Sequence, residues 1–370
     1  MATKKSLTES LQKVQSIIDW FEGQEEVIDE NILLDKQKRI NDLSKKLEKD
    51  FGEGILIGAK DKSKEYDIIK TGSIGLDKAL GIGGLPRGRI VEIYGPESSG
   101  KTTLAIHIIA EAHKQDPSSL CAFIDVEHAF DVTYAEKVGV DLSRLKITQP
   151  SYGEQALEVS ERLCETGLFD VIVIDSVAAL VPKAEVERDM GESSMGKHAL
   201  LMSQAMRKLS PIVSNSNTLM IFINQLREKM VMMGNPEVTT GGNALKFYAT
   251  VRLDVRKYIS KDQLVMVDGV KSGNLVKVKV VKNKVSPPYR ECEFNILWGK
   301  GIDRFSEVID IACKTGIINK TGAWYSYNGE KVQGLAGMTE ILEKNPKIYE
   351  EIKDKVFNEY EPTEFEPQGE

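Results

Sequence analysis

The chain reads as an α/β protein: a mostly parallel central sheet flanked by helices, preceded by an N-terminal helical segment and followed by a small C-terminal α+β domain. Three observations carry that expectation. From about residue 66 to 300, apolar β-branched runs alternate with helical stretches, as strands joined by crossover helices require. A glycine-containing loop stands between one such run and a helical stretch, the setting in which a phosphate-binding turn is found. The first 65 residues carry apolar positions at helical spacing, outside that alternation.

In chain order, Ser6 and Glu9 fit a capping box, and Leu11, Val14, Ile17, Ile18 and Phe21 recur at helical spacing, which predicts a first amphipathic helix. In a second, Ile40, Leu43, Leu47 and Phe51 line one face, with Lys36, Lys38, Arg39, Lys45 and Lys46 between them, and Gly52-Glu53-Gly54 ends it. An amphipathic helix so early in a chain is there to pack on something, and a neighbouring subunit is one such partner. The strand-like runs are Arg89 to Tyr94, Leu120 to Val126, Val171 to Asp175, Thr218 to Asn224, Thr250 to Val255, Leu275 to Val281 and Cys292 to Trp298. The first four, continuous and β-branched, read as buried on both faces. Lys277 to Val281 alternates polar with apolar, which suits a sheet edge with one wet face. Residues 301–358 read as a small appended domain, mainly helical, around a turn-rich segment from Gly322 to Gly337. Residues 359–370 form an acidic tail expected to be disordered.

Length and composition agree. At roughly 100–200 residues per domain, 370 residues suggest two or three domains, and 41% hydrophobic residues allow a large core. No apolar run approaches the ~18 residues that would span a bilayer, and the start of the chain lacks an apolar signal core. A soluble, cytoplasmic protein without membrane contact is expected. Cys121, Cys164, Cys292 and Cys313 lie far apart with no Cys-x-x-Cys pair, so neither a zinc site nor a disulfide framework is supported. The net charge of -7 argues against a generic polyanion binder. Charge is uneven, however. Lys271, Lys277, Lys279, Lys282, Lys284 and Arg290 fall in a stretch with no acid, whereas the chain after Lys355 holds five Glu and no base. Any nucleic-acid contact must be local, and a solvated strand face is an equally good reading of the basic stretch.

Gly95-Pro96-Glu97-Ser98-Ser99-Gly100-Lys101-Thr102 fits G-x-x-x-x-G-K-[ST] after the run Arg89 to Tyr94 and before the helical stretch from Thr102 to Lys114. A chance match in a chain of this length is on the order of one percent. Such a loop curls backbone N–H groups around a phosphate at a helix N-terminus; Lys101 would reach the outer phosphates and Thr102 would ligate Mg²⁺. The rest of an ATPase should gather where the other parallel strands end. Asp175 could hold the Mg²⁺ through water or merely cap the next helix. Glu127 is a candidate general base, or a solvated charge at a strand end. Gln225, after Asn224, could sense the terminal phosphate, the alternative being a turn-forming polar pair.

The segments Gly95 to Thr103 (GPESSGKTT), Ala122 to His128 (AFIDVEH), Asp170 to Leu180 (DVIVIDSVAAL), Ile221 to Arg227 (IFINQLR) and Thr239 to Tyr248 (TTGGNALKFY) resemble the bacterial RecA recombinases. The resemblance runs from about residue 36 to 358. It implies a RecA-type P-loop ATPase core using ATP and Mg²⁺, with Glu127 activating water, Asp175 as the Mg²⁺ carboxylate and Gln225 coupling nucleotide state to DNA. Tyr134 would stack on adenine, although a core Tyr is a fair alternative. Two DNA-gripping loops fall by position on Glu185 to Ala199 and Arg227 to Gly241. Gly191, Gly196, Gly234 and Gly241 would allow mobility there, Met195 and Met230 to Met233 could wedge between base steps, Lys197, Arg207, Arg227 and Lys229 could take phosphates, and Gly242, just past the second loop, is a further DNA-binding candidate. Ordinary mobile loops are the reading that stands without the resemblance.

The resemblance further implies that Lys246 and Phe247 lie at a subunit interface, and that Lys282 and Lys284, spaced to share a strand face, complete the active site of the neighbouring subunit. Leu200, where many relatives carry Arg, Met233, where an aromatic is common, and the extra N-terminal residues depart from the family pattern; Lys197 is a compensating cation for the first. The implied activity is homologous recombination: a helical homo-oligomeric filament on single-stranded DNA that pairs it with double-stranded DNA and exchanges strands, with stimulation of repressor self-cleavage in a damage response. A ring-shaped helicase on the same core is the alternative. A small-molecule kinase would need an Arg-rich lid, and the sequence has none.

Overall fold

A computed structural model of the chain describes residues 30–52, 54–56, 66–187, 196–228, 237–258, 264–267 and 270–365. The capping box at Ser6 and the helix expected after it lie outside these residues. The chain divides into two units, residues 1–65 and 66–370. In the first, α1 (Glu30–Phe51) starts earlier than its charged pattern suggests. It stops at Gly52, whose φ of 96° only glycine adopts without strain. Ile40, Leu43 and Phe51 on its apolar stripe are exposed.

The second unit opens with a ribbon of β1 (Ile68–Ile69) and β2 (Leu85–Pro86) around α2 (Ile74–Ala79). The alternating core follows: β3 (Ile90–Gly95), α3 (Lys101–Gln115), β4 (Cys121–Asp125), α4 (Val132–Val138), β5 (Leu145–Thr148), α5 (Gly153–Glu165), β6 (Val171–Asp175), α6 (Lys183–Val186), α7 (Lys197–Ser216), β7 (Leu219–Glu228), β8 (Glu237–Thr239), α8 (Ala244–Tyr248) and β9 (Val251–Lys257). Then come β10 (Leu264–Val267), β11 (Val270–Asn283), β12 (Arg290–Leu297) and β13 (Gly301–Ile302). The large sheet runs β13-β12-β11-β9-β3-β7-β6-β4-β5. From β9 to β5 every pairing is parallel, and β11, β12 and β13 extend it antiparallel.

Strand alternation explains the two cores. Val91, Ile93, Phe123, Val173 and Ile221 face one side with Leu104 and Ile108 of α3; Ile90, Ile124, Ile172 and Phe222 face the other with Leu157 of α5 and Met202 and Met206 of α7. Helices cover both faces, so these strands read as unbroken apolar runs. Each fully buried side chain of this size contributes roughly 1.5–3 kcal/mol. The parallel order also carries the ends of β3, β4 and β6, and the register of Asn224 and Gln225 in β7, to one edge of the sheet.

Two expectations need correction, on the lysine strand and on the acidic tail. The alternating lysine strand is not a sheet edge: β11 lies between β9 and β12. Val276, Val278 and Val280 are buried beneath it, while Lys277 pairs with Glu291 at 2.7 Å across the strands. The C-terminal domain is α+β as expected: an antiparallel meander of β14 (Asn319–Thr321), β15 (Trp324–Tyr327) and β16 (Glu330–Gln333) is enclosed by α9 (Arg304–Lys314), α10 (Gly334–Lys344) and α11 (Pro346–Glu359) around Ile309, Met338, Leu342, Ile352 and Val356. The start of the acidic tail is ordered, because β17 (Thr363–Glu364) pairs with Arg290 and Glu291 and Phe365 meets Tyr289 edge-on; residues 366–370 lie outside the described residues. Among the described residues no helix is long and apolar enough to cross a membrane, and all four cysteines are free thiols.

Candidate active site and nucleic-acid interface

The phosphate loop is shaped by two glycines. A Cβ on Gly95 would stand 2.0 Å from the Val255 carbonyl oxygen of β9, and Gly100, with φ of 98°, would drive one to 2.5 Å from Ile296. Between them Pro96, Glu97, Ser98 and Ser99 turn the chain so that Lys101, Thr102 and Thr103 open α3. The Lys101 ammonium folds back and donates to the Pro96 carbonyl at 2.6 Å. Burial holds its pKa below the ordinary lysine value, against the raising pull of Asp175, Glu127 and Glu97. Ser99 Oγ is buried with no hydrogen-bond partner. A polar atom orphaned beside a lysine and a helix N-terminus is what an anion would satisfy. A cavity of about 340 Å³ opens on Ser98 to Thr103 and is walled opposite by Lys257, Asn274, Val276, Ile296 and Trp298. Sequence reasoning missed that wall, since its residues come from β9, β11, β12 and the end of β12, with no shared motif.

The strand ends bring the other groups together. Thr102 Oγ1 donates to Asp175 Oδ2 at 2.7 Å. Burial pushes Asp175 up to about 6, opposed by that hydrogen bond. A hydroxyl and a carboxylate side by side are the hard oxygen donors that suit Mg²⁺, which takes its other ligands from phosphate and water. At the end of β4 the two carboxylates divide. Asp125 is consumed locally, accepting from the Ala129 and Phe130 backbone N–H groups and from Gln149 Nε2 at 2.9 Å. Glu127 is exposed; its Oε1 accepts from Gln225 Nε2 at 2.9 Å and from the Ser176 hydroxyl. Ser176 and Gln149 were not singled out in the sequence, where nothing marks them. The Tyr134 hydroxyl donates to Thr103 Oγ1 at 3.4 Å, and its half-buried ring packs against the core.

The two candidate DNA loops are rooted close together. A Cβ on Gly242 would lie 2.9 Å from Ala199, and one on Gly241 2.9 Å from Val177. The structure shortens both loops. Lys197 to Ala199 belong to α7, which Gly196 begins with φ of 85°, and Arg207, exposed, is a mid-helix residue whose Nε donates to the Ser203 carbonyl. Arg227 is in β7, paired with Val238 of β8. Met195, Lys229 and Met233 lie outside the described residues. Leu200 is exposed on α7.

Phe247 is 66% exposed on α8 and belongs to no hydrophobic core among the described residues; Lys246 beside it is half-buried. Lys282 donates to the Lys246 carbonyl at 2.6 Å and to that of Phe247 at 2.9 Å, and Lys284 reaches the Phe247 carbonyl at 3.3 Å. The pair converges, though not simply by strand periodicity: the register shifts between Val280 and Lys282, and Lys284 lies past the end of β11. Burial, then the charges of Lys284 and Arg252, hold Lys282 down to about 8.

A phosphate loop between a parallel strand and a helix, met by carboxylates from β6 and the end of β4 in the same sheet, defines a P-loop nucleoside triphosphatase. The comparisons narrow the class. A family model described as the RecA N-terminal domain matches residues 38–303, and one described as the RecA C-terminal domain matches residues 306–361. The Protein RecA of Rhodospirillum rubrum is 56% identical over 328 residues, covering 87% of this chain and 88% of that protein. That of Syntrophus aciditrophicus is 53% identical over 330 residues, 88% and 94% of the two chains, and that of Cytophaga hutchinsonii 56% over 314 residues, 84% and 87%. The chain belongs to the RecA family. It is a DNA-dependent ATPase of homologous recombination and DNA repair, and the ring-helicase alternative is not favoured.

Lys101→Ala should therefore weaken ATP binding at least ~10-fold, the size of one lost hydrogen bond to a charged group, and DNA affinity in the presence of ATP should fall with it. Titration with a fluorescent ATP analogue checks this. Wild-type affinity would mean that the lysine serves only the loop carbonyl of Pro96.

Proposed function

We propose that the chain polymerises into a helical filament on single-stranded DNA in the cytoplasm, pairs that strand with duplex DNA and exchanges strands while hydrolysing ATP. In this reading Lys101 and the loop from Gly95 to Thr103 hold the phosphates, Thr102 and Asp175 hold Mg²⁺, and Tyr134 borders the adenine. Glu127 takes the proton of the attacking water, and Gln225 reports the terminal phosphate to the loop beyond Arg227. The observation that supports this best is the 2.9 Å hydrogen bond between Gln225 and Glu127. It joins the group that would feel hydrolysis to the strand that leads into a DNA loop. Binding independent of sequence is expected, because nothing among the described residues offers a groove-reading element and homology would be tested by base pairing itself. A self-cleaving repressor of the SOS response is proposed as a further partner of the same filament. Electron microscopy with single-stranded DNA and a non-hydrolysable ATP analogue should show open helical filaments; closed hexameric rings would contradict the reading.

Assembly gives a second test. An exposed aromatic anchor of this kind carries a large share of an interface. Phe247→Ala should remain folded, with unchanged circular dichroism and thermal stability, yet polymerise poorly in sedimentation assays. A wild-type filament length would remove Phe247 from the interface.

A further inference from the structure

Glu92 lies in the middle of β3, the strand that ends in the phosphate loop, and is fully buried. A carboxylate in that position is costly unless both oxygens are paired. Its Oε1 accepts from Asn224 Nδ2 at 2.8 Å and its Oε2 from Arg252 Nε at 2.5 Å, so one side chain bridges the two strands that flank its own. Asn224 in turn is fully committed. Its Oδ1 accepts the Gln225 backbone N–H at 2.9 Å and the Thr240 hydroxyl at 2.5 Å, and its amide also donates to the Thr240 carbonyl at 3.1 Å. On the other arm Arg252 lies over the Tyr94 ring, 4.7 Å from its centroid, and opposite Lys282 in the strand register. Both arms end at α8. Thr240 leads through Gly241, Gly242 and Asn243 into its first turn, and Lys282 binds the carbonyls of Lys246 and Phe247 within it.

We propose that Glu92 is a positioning residue whose two-armed bridge ties Gln225 and the root of the second DNA loop to the exposed interface face of α8. The proposal rests on the reading of Gln225 and Phe247 given above. A packed sheet does not absorb a displacement within itself, so a shift at Gln225 would be handed through Asn224 and Glu92 to Arg252 and α8. A buried ion pair that only stabilises the sheet is the competing account.

Glu92→Gln keeps the shape and the acceptor that faces Asn224 but leaves Arg252 without its counter-charge. The readout is the ratio of affinities of full-length protein for a labelled oligothymidylate with a non-hydrolysable ATP analogue and with ADP, measured alongside the melting temperature. The ratio should fall about 10-fold, within the usual range of coupling between two sites, while analogue affinity stays within about twofold. The double variant Glu92→Gln/Arg252→Met removes both charges and keeps the strands packed; it should regain melting temperature and still show the reduced ratio. A ratio that recovers with the melting temperature, or never falls, overturns the proposal. If Glu92→Gln does not fold, the double variant is read by the same two outcomes. Gln225→Ala, run in parallel, separates the failures. An unchanged ratio there overturns the sensing reading and the role of Glu92 with it, whereas a collapsed ratio there beside a wild-type ratio in the double variant overturns the bridge alone.

Discussion

Glu127→Gln protein is expected to bind ATP, bind DNA and assemble, yet to hydrolyse ATP about 10²- to 10⁴-fold more slowly, the usual contribution of a general base. The structure distinguishes this carboxylate from its neighbour. Asp125, two residues earlier, spends its oxygens on the Ala129 and Phe130 amides and on Gln149, and so fixes the turn after β4. Among the described residues the Glu127 carboxylate keeps only side-chain partners, Gln225 and Ser176, both of which could yield to an incoming water. Glutamine at this position still accepts from both through its Oε1 but cannot take a proton, so filaments formed with ATP should persist while turnover stops. A single-turnover assay on single-stranded DNA separates the slowed step from impaired binding. Hydrolysis at the wild-type rate would reduce Glu127 to a solvated charge.

The same site shows where sequence reading succeeds and where it stops. β3, β4, β6 and β7 are buried on both faces, so their runs are continuous; β3, β4 and β6 end within one residue of the expected position, whereas β7 runs on past Asn224 to Glu228, where β8 pairs with its extension. β5 was not found, because Lys146 and Ile147 are exposed at the sheet edge and the run Leu145 to Thr148 has neither continuity nor clean alternation. β15 and β16 fall in the segment that reads as turn-rich, since Gly322 and Gly329 punctuate strands only four residues long. Charge misled for a different reason. The basic stretch contains no acid of its own, yet Lys277 and Lys279 face Glu291, which arrives on the next strand. Likewise Glu92 is conspicuous inside an apolar run, but its partners lie 132 and 160 residues away. Local motifs expose groups that act on a ligand; the groups that hold those residues in register come from distant segments and become visible only once the strands are paired.

Strand register also decides what Lys282 and Lys284 can reach. Gly95 lies against Val255 of β9, whereas Lys282 is level with Arg252, three residues back along the strand, about 10 Å at the usual rise. Both lysines are turned onto the carbonyls of α8, beside the exposed Phe247, and not toward the phosphate loop of their own chain. If α8 is a subunit interface, we propose that the two cations border the nucleotide of the neighbour, where they would offset charge on the terminal phosphate as an arginine finger does. Lys282→Ala/Lys284→Ala should then lower hydrolysis by about 10³-fold or more. Loss of DNA-phosphate contacts would also depress activity, so the decisive experiment mixes this variant with Glu127→Gln protein, each inactive alone. Junctions in which an intact Glu127 faces an intact lysine pair should regain hydrolysis, with a maximum near equal proportions. Filaments shown by labelling to contain both proteins but silent at every ratio would rule out a role in trans, because assembly would have supplied every group that the mechanism requires.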